Sequence, residues 1–572
     1  MGLIAPTLPD LDVDEWRALP RAERTRALQQ HWAVYGFGTP TGVYGLYVLK
    51  IALYVLGGLA FAAATPGIGS LGDVGDWWFE PVVFQKIIIW TLLFEVLGFG
   101  CGFGPLTMRF LPPIGTFLYW LRPGTIRLPP WPDKVPGTKG SHRTLLDVAL
   151  YLAVIAAAVY VLVSPADRGQ DLIEPERFVP LLVLLPVLGL RDKTIFLAAR
   201  SEHYWVTTIA FLFPFVDMIL AAKLLMVAIW WGAATSKLNQ HFPYVVSTMM
   251  SNAPLLPKAV KRRLWRDVET DVRPSRLSGA LAHGGTVVEF GVPLVLLFSR
   301  GGTVTTIALV VMLLFHLNIL ASIPMGVPLE WNVLMGFGAL VLFGHYSAVG
   351  LTDASQPVLV YGLLALVVIS VAWGNRRPDL WSFLPSMRYY AGTWSTSVWL
   401  FGEGAEQTYS ERVTKAAQLP HRQLEKLYPP ETVDLMIGKL QAWRGLHTHG
   451  RAMVGLYPHA ADDHESRFIM DGEMVCGSAI GWNFGDGHLH QEALLAAVQE
   501  RCHFAPGQLR VIAMESQPFW NPIQRYRIID AADGVIETGE VDVAEMISRQ
   551  PWDGSLPFRV TSRAEAPSRD PH

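Results

Sequence analysis

The feature that most constrains this chain is a series of apolar segments, each about as long as a bilayer crossing. A helix needs roughly 20 mainly apolar residues to span the hydrocarbon core. The sequence predicts nine transmembrane helices, at 42–64, 82–104, 145–164, 178–199, 206–236, 280–298, 303–322, 329–345 and 357–373. Only 17% of the residues are charged, against about 25% in average soluble proteins, so the composition also indicates a polytopic membrane protein.

Two of these segments leave the number of spans open. The fourth is interrupted by Pro186 and by the charged run 191–193. The fifth is too long for one straight crossing and contains Pro214, so it is predicted to be kinked, tilted or doubled. Nine is the predicted number, with eight and ten as alternatives.

The distribution of basic residues predicts a cytoplasmic N-terminus. The loop 105–144 is rich in Lys and Arg, whereas the loop 65–81 has none, and basic loops favour the cytoplasmic side of the plasma (inner) membrane. Nine spans then place the C-terminal domain outside. The cations Arg376, Arg377 and Arg388 after the last span favour the opposite side.

The chain divides into five regions by composition. These are an N-terminal amphipathic surface segment (1–41), a transmembrane helical domain (42–375) with a basic surface segment (238–279), an aromatic interfacial linker (376–404), a soluble α+β domain (405–562) and a disordered tail (563–572). The predicted fold is therefore a membrane α-helical bundle followed by a C-terminal α+β domain. In the surface segment, Trp16 and Leu28 are predicted to contact the membrane.

Strands are predicted in the soluble domain where short apolar runs are separated by turn signals. These runs lie around 451–457, 467–482, 509–515 and 525–530. Cys476 and Cys502 are the two cysteines of this region that could pair, because Cys101 lies in an apolar segment. The net charge of −3 gives no indication of nucleic-acid binding.

Five of the ionisable residues inside the predicted spans are selected as candidates. They are Glu95, Asp217, Lys223, Glu289 and His316. Such groups usually face the bundle interior or a wet cavity, where they either pair to hold helices together or mark a functional pathway. Glu289 and His316 lie on consecutive spans joined by a short turn, so they are predicted to meet at similar depth. Asn318 and Glu330 are candidate substrate or lipid ligands nearby.

Lys237 ends an apolar run that includes Trp231, another candidate lipid contact. One interpretation is that its ammonium extends to the head groups, as Lys side chains near helix ends do. The other is that it is desolvated, which favours the neutral amine and makes it a base or nucleophile. In the basic segment, Arg262 and Arg263 are predicted to bind anionic head groups.

Several short motifs resemble the vitamin K-dependent γ-carboxylases and their bacterial relatives with a horizontally transferred transmembrane (HTTM) domain. The motifs run from the small-residue stretch ending at Lys237 through His283 and Glu289 to Phe315-His316 and the turn at Glu330. The resemblance implies an HTTM-like membrane fold. It also implies that Lys237 is a base acting on a quinol or lipid, with His316 and Glu289 as neighbours; a quinone or quinol is the cofactor it suggests.

The whole chain resembles a membrane-protein family of mycolic-acid-bearing actinobacteria. The resemblance rests on the segments 389–394, 481–490 and 550–552. It implies a part in maturing envelope lipoglycans or in transporting a lipid-linked glycan precursor, with membrane lipids and envelope-biogenesis proteins as partners. An HTTM-type enzyme and a scaffold that recruits partners through the soluble domain are the competing interpretations.

Two His-x-His pairs in the soluble domain raise the question of a metal. They are formed by His447 with His449 and by His488 with His490. On a strand, alternate residues share a face, so each pair could supply two ligands. Such histidines more often serve turns and surface hydrogen bonds, and no metal is predicted.

Overall fold

The chain folds into a helical bundle and a C-terminal half built around an antiparallel sheet. The computed structural model describes residues 2–100, 103–166, 171–197, 201–322, 329–377, 395–447, 450–482, 487–518, 520–553 and 557–564. Cys101, His449, the motif at 389–394 and most of the linker and tail predicted at 376–404 and 563–572 therefore lie outside the described residues.

The helices up to residue 377 form the bundle and its surface segments. They are α1 (Val13–Ala18), α2 (Arg21–Tyr35), α3 (Thr41–Ala63), α4 (Val74–Trp77), α5 (Pro81–Val96), α6 (Gly115–Trp120), α7 (Leu145–Val163), α8 (Val179–Arg191), α9 (Thr194–Leu197), α10 (Ser201–Ala210), α11 (Phe215–Ser236), α12 (Phe242–Asn252), α13 (Lys258–Arg263), α14 (Arg276–Phe298), α15 (Gly302–Ser322), α16 (Leu329–Gly338) and α17 (Pro357–Arg376). A π-helical segment, Ala339–His345, continues α16.

Within the described residues, six helices are long and apolar enough to cross a membrane. They are α3, α7, α11, α14, α15 and α17. Three further predicted spans form shorter helices, since α5 has 16 residues, α8 has 13, and α16 with its extension is a shorter apolar helix. The nine predicted spans are thus not confirmed as nine membrane-length helices.

The predicted fifth span, 206–236, is two helices. Pro214 separates α10 from α11, because proline lacks an amide proton and disfavours helical geometry in the residue before it. The two helices pack against each other across this turn. Among the described residues, the six membrane-length helices are thus accompanied by the shorter helices α5, α8, α10 and α16.

The N-terminal helices pack directly against the C-terminal domain. Helix α2 packs along the helix Pro430–Leu446 of the C-terminal half. Arg17 Nη2 lies 2.5 Å from Asp434 Oδ2, and Arg21 N donates to Glu465 Oε2 at 3.0 Å. These contacts favour one side of the membrane for both regions, in contrast to the opposite sides predicted from nine spans.

The N-terminal apolar side chains are buried by protein instead of lipid. Trp16 and Leu28 form a cluster with Leu435 and Ala442 of the C-terminal half. The approach is close enough that a Cβ on Gly438 would lie 2.5 Å from Leu28 Cδ1. The predicted membrane-surface role of this segment is thus replaced by docking onto the C-terminal domain.

The C-terminal half contains a six-stranded sheet, and the basic segment contains a small hairpin. The strands are β1 (Trp265–Asp267), β2 (Asp271–Pro274), β3 (Thr396–Phe401), β4 (Phe468–Asp471), β5 (Leu509–Met514), β6 (Ile523–Asp530), β7 (Gly534–Asp542) and β8 (Phe558–Arg563). The large sheet has the order β4-β3-β5-β6-β7-β8 with every pair antiparallel.

The predicted strands 509–515 and 525–530 correspond to β5 and β6, but others differ. Strand β3 lies in the stretch predicted as an interfacial linker, and all six of its residues are buried, so it lacks the alternation that marks a half-exposed strand. Residues 472–480 form a helix because Asp471 caps its N-terminus through Glu473 N. Further helices are Ala405–Arg412, Pro420–Leu424, Pro430–Leu446, Gly450–Gly455, Tyr457–Ala460, Glu492–Cys502 and Val543–Met546.

We expect the C-terminal domain to be cytoplasmic, because it shares its end of the bundle with the basic loop 105–144. Leu71, in the loop after α3, and Leu427, in the C-terminal domain, are both exposed, whereas Cys476 and Cys502 are buried and form no disulfide with each other. A membrane-impermeant maleimide should therefore label Leu71→Cys in intact cells and Leu427→Cys only after permeabilisation. Labelling of both in intact cells would contradict this topology.

Candidate functional site

Lys237 lies where α11 ends, and a local polar turn stops the helix there. The Asn239 side chain donates to the Ser236 carbonyl and accepts a hydrogen bond from His241 N at 2.8 Å. Asparagine side chains compete with helical hydrogen bonding in this way. The chain consequently turns away after Lys237, whose side chain extends towards α14.

The Lys237 ammonium forms a buried ion pair with Glu289. Its Nζ contacts Glu289 Oε2, and the two side chains are only 9% and 4% exposed. The rings of Phe242 and Phe315 lie 5.8 Å and 5.3 Å from Nζ and cover the pair. The ammonium is therefore paired with a carboxylate inside the bundle instead of lying free at its surface.

His316 is held in one neutral tautomer by its two partners. Trp230 Nε1 lies 3.0 Å from His316 Nε2, and an indole N–H can only donate. Nε2 is therefore the acceptor, and the proton is on Nδ1, which donates to Asn332 Oδ1 at 2.9 Å. Within the described residues, His316 and Glu289 form no hydrogen bond with each other, although Lys237 interacts electrostatically with both.

Three consecutive residues near the start of α16 each contact a different helix. Asn332 binds His316 of α15, and the Trp331 ring lies 5.0 Å from that of His203 on α10. Glu330 Oε1 lies 2.6 Å from Lys50 Nζ on α3, with the Glu330 side chain fully buried. This stretch of α16 therefore joins the Lys237 site to a second buried charge cluster.

Lys50 organises that second cluster, and sequence reasoning missed it. Its ammonium also donates to the carbonyls of Gly100 and Phe103 at 2.9 and 3.3 Å. Glu95 is fully buried beside it, since a Cβ on Gly100 would lie 2.1 Å from Glu95 Oε2. Its sequence signal is a single lysine inside the first apolar segment. An ionisable residue in a predicted span indicates a buried polar contact, as it does for Glu289 and His316.

Asp217 and Lys223 lie at the opposite end of the bundle and anchor a loop. Lys223 Nζ donates to the carbonyls of Tyr346 and Val349 at 2.8 and 2.5 Å. Asp217 Oδ1 accepts from Ser355 N at 2.8 Å, just before α17 begins. These two groups satisfy backbone atoms of the connection between α16 and α17 and do not join the Lys237 site.

The other predicted ligands are distributed outside the core of the site. Asn318 is exposed on α15, and Trp231 is 39% exposed with its Nε1 donating to Phe290 O at 3.0 Å. Arg262 and Arg263 are exposed on α13, at the same end of the bundle as Lys237. They form a basic surface near the start of α14, the helix that carries Glu289 further along.

The candidate histidine ligands do not form a metal site among the described residues. His447 is fully buried beside the Trp443 ring, at 5.2 Å between centroids. His490 Nδ1 lies 2.7 Å from Ser397 Oγ. His449 and the side chain of His488 lie outside the part of the chain that the structure describes.

The C-terminal domain contacts the same end of the bundle directly. Trp482 Nε1 donates to Glu95 O at 3.3 Å, and its ring packs against Trp120 at 4.6 Å between centroids. His241 Nε2 lies 3.0 Å from Gln524 Oε1 on β6. The soluble domain therefore lies over the end of the bundle that holds both charge clusters.

The fold and site define a helical membrane protein with a C-terminal sheet domain docked over buried ionic groups. The chain belongs to a family described as transmembrane protein of unknown function (DUF3556), whose model matches residues 1–561. Neither the curated proteins nor the solved structures give a match to it.

The contact of His241 with β6 predicts a pH-dependent stability. Burial lowers the pKa of His241 to about 4, and the charge of Arg451 adds to this, against the hydrogen bond to Gln524. As the pH is lowered from about 6.5 to about 4, the unfolded chain takes up a proton that the folded protein does not. The free energy of unfolding therefore falls by about 1.4 kcal/mol for each pH unit of this decrease. In His241→Gln, the loss of unfolding free energy from about pH 7 to about pH 5 should be smaller by about 2 kcal/mol. An unchanged pH dependence would contradict this.

Proposed function

We propose that the protein binds the anionic head group of a membrane lipid at Lys237. In this proposal it is an inner-membrane protein of actinobacterial envelope biogenesis, acting in lipoglycan maturation (lipomannan/lipoarabinomannan type) or in transport of a lipid-linked glycan precursor. The observation that carries the binding role is the buried ion pair between Lys237 and Glu289.

A buried ion pair of this kind can exchange one anion for another. Lysine binds phosphate as a point charge, and Glu289 occupies that position while no ligand is bound. Arg262 and Arg263 lie at the same end, where each basic side chain attracts anionic head groups by about 1 kcal/mol. The basic surface would therefore gather the lipid that Lys237 then selects.

Support for the envelope pathway comes from the resemblance at 481–490 and 550–552. Part of the first segment is structurally central, because Trp482 contacts the Glu95 backbone beneath the docked domain. Lipid-linked glycans carry phosphate between chain and sugar, which matches a cationic site at the membrane end.

An HTTM-type enzyme that uses Lys237 as a base on a quinol or lipid is the second candidate. This candidate is favoured because the amine of Lys237, the carboxylate of Glu289 and the imidazole of His316 are buried in one region of the bundle. The hydrogen bonds favour binding instead, because a carboxylate partner stabilises the charged ammonium and Trp230 occupies the free nitrogen of His316.

Lys237→Arg and Lys237→Gln distinguish the two functions. Arginine keeps the positive charge but is effectively never deprotonated, whereas glutamine loses the charge. If Lys237 binds an anion, Lys237→Arg should keep the lipoglycan profile of the cells close to wild type and Lys237→Gln should lose it, at matched membrane abundance. Loss of function in both variants would favour the base and contradict simple anion binding.

A further inference from the structure

An apolar cavity of about 40 Å³ lies inside the bundle between α5, α10, α11 and α16. Its wall includes Ala222, Met226 and Ile229 of α11 and Met335 and Gly338 of α16. On this measure one water needs about 10–15 Å³, so there is room for more than one small group. His203, Tyr204 and Thr207 of α10 also line it, but the rest of the wall is apolar. Cavities with apolar walls stay dry and bind apolar molecules, so an apolar occupant is favoured on that side.

The wall formed by α16 has features that let the cavity change shape. At Gly338 the helix changes from α to π geometry, and the wider turns continue through His345. Such π segments are rare and occur frequently at functional sites. Met226 and Met335, with unbranched and flexible side chains, line the same space and can follow the shape of an occupant.

The cavity lies at a depth that suits one chain of a lipid held at Lys237. Ile229 and Met226 precede Lys237 on α11 by eight and eleven residues. At 1.5 Å per residue these positions are about 12 and 16 Å along the helix from the ion pair. Half the hydrocarbon thickness of a bilayer is about 15 Å, which an extended lipid chain covers.

We propose that this cavity receives the end of an alkyl or isoprenoid chain belonging to the lipid whose anionic head group meets Lys237. The inference rests on the proposed function and specifies its substrate class as a lipid recognised at both ends. The ion pair selects the charge of the head group, and the cavity between α11 and α16 selects the chain.

Photo-crosslinking tests the chain site in the full-length protein. The probe is a phosphatidylglycerol with a diazirine at the end of one acyl chain, in phosphatidylcholine vesicles. Wild type should be labelled within 222–229 and 335–342. Ala222→Phe fills the cavity and should lower this labelling about tenfold, whereas the matched variant Ala365→Phe on the exposed face of α17 should not. Ala222→Leu provides a smaller substitution if the larger one does not fold.

The outcomes separate the chain site from the head-group site. Absence of label in these two segments of wild type, or label unaffected by both Ala222 variants, would overturn the chain site. The head-group site is tested by Lys237→Gln, which should lower labelling by the anionic probe but not by an uncharged diacylglycerol probe. If Lys237→Gln changes neither while Ala222→Phe lowers both, the chain site stands and the proposed function fails.

Discussion

Glu289→Leu is expected to destabilise the protein by about 3–5 kcal/mol, because it leaves the Lys237 ammonium buried without its carboxylate. The double variant Lys237→Met with Glu289→Leu should regain most of this loss, since apolar side chains of similar volume can replace a buried pair at little cost. The measurement is the free energy of unfolding in detergent micelles for the two single variants and the double variant.

The exposed pair of Arg559 and Glu540 provides the control, because its arginine side chain is 78% exposed. Glu540→Leu should cost less than about 1 kcal/mol. Equal costs for Glu289→Leu and Glu540→Leu would mean that the Lys237 pair is solvated, which would contradict the buried site. A double variant that is folded but does not bind lipid would separate the stabilising role of the pair from its binding role.

Trp482→Ala is expected to destabilise the docking of the soluble domain by about 3–5 kcal/mol. Its ring is fully buried against Trp120, and its indole N–H binds the backbone of Glu95. The loss should appear as faster proteolysis between the bundle and the C-terminal half and as a lower melting temperature.

Trp520→Ala is the matched control for that measurement, since Trp520 is 61% exposed. A surface substitution of this kind should change stability by no more than about 0.5 kcal/mol. If Trp482→Ala had the same small effect, the soluble domain would not depend on its contact with the bundle.

The sequence predicted the helical bundle because long apolar runs are an unambiguous signal, but it could not fix how many times the chain passes through it. The deciding residue was Pro214, which breaks one long run into two helices. A proline can kink a helix or end it, and the choice depends on packing that is not local. The predicted side of the C-terminal domain depends on that choice.

The site was predicted in part, and the failures have physical causes. Lys237, Glu289 and His316 were selected because buried ionisable groups are costly, and they lie in one region of the bundle. Asn318 was selected for its proximity in sequence to His316, but residues two apart on a helix face away from each other. Asn332, sixteen residues later on the next helix, binds His316 instead.

The most direct test of the central claim is the affinity of the purified protein for an anionic lipid in variants of Lys223, on α11, and of Lys237, just after its C-terminal end. Lys237→Gln removes the proposed head-group ligand, whereas Lys223→Gln alters a buried lysine that binds backbone carbonyls at the other end. A hydrogen bond to a charged group is worth about 1.5–3 kcal/mol, so Lys237→Gln should weaken phosphatidylglycerol binding at least about tenfold. Lys237→Arg and Lys223→Gln should stay close to wild type. Equal affinities for Lys237→Gln and wild type would contradict the account.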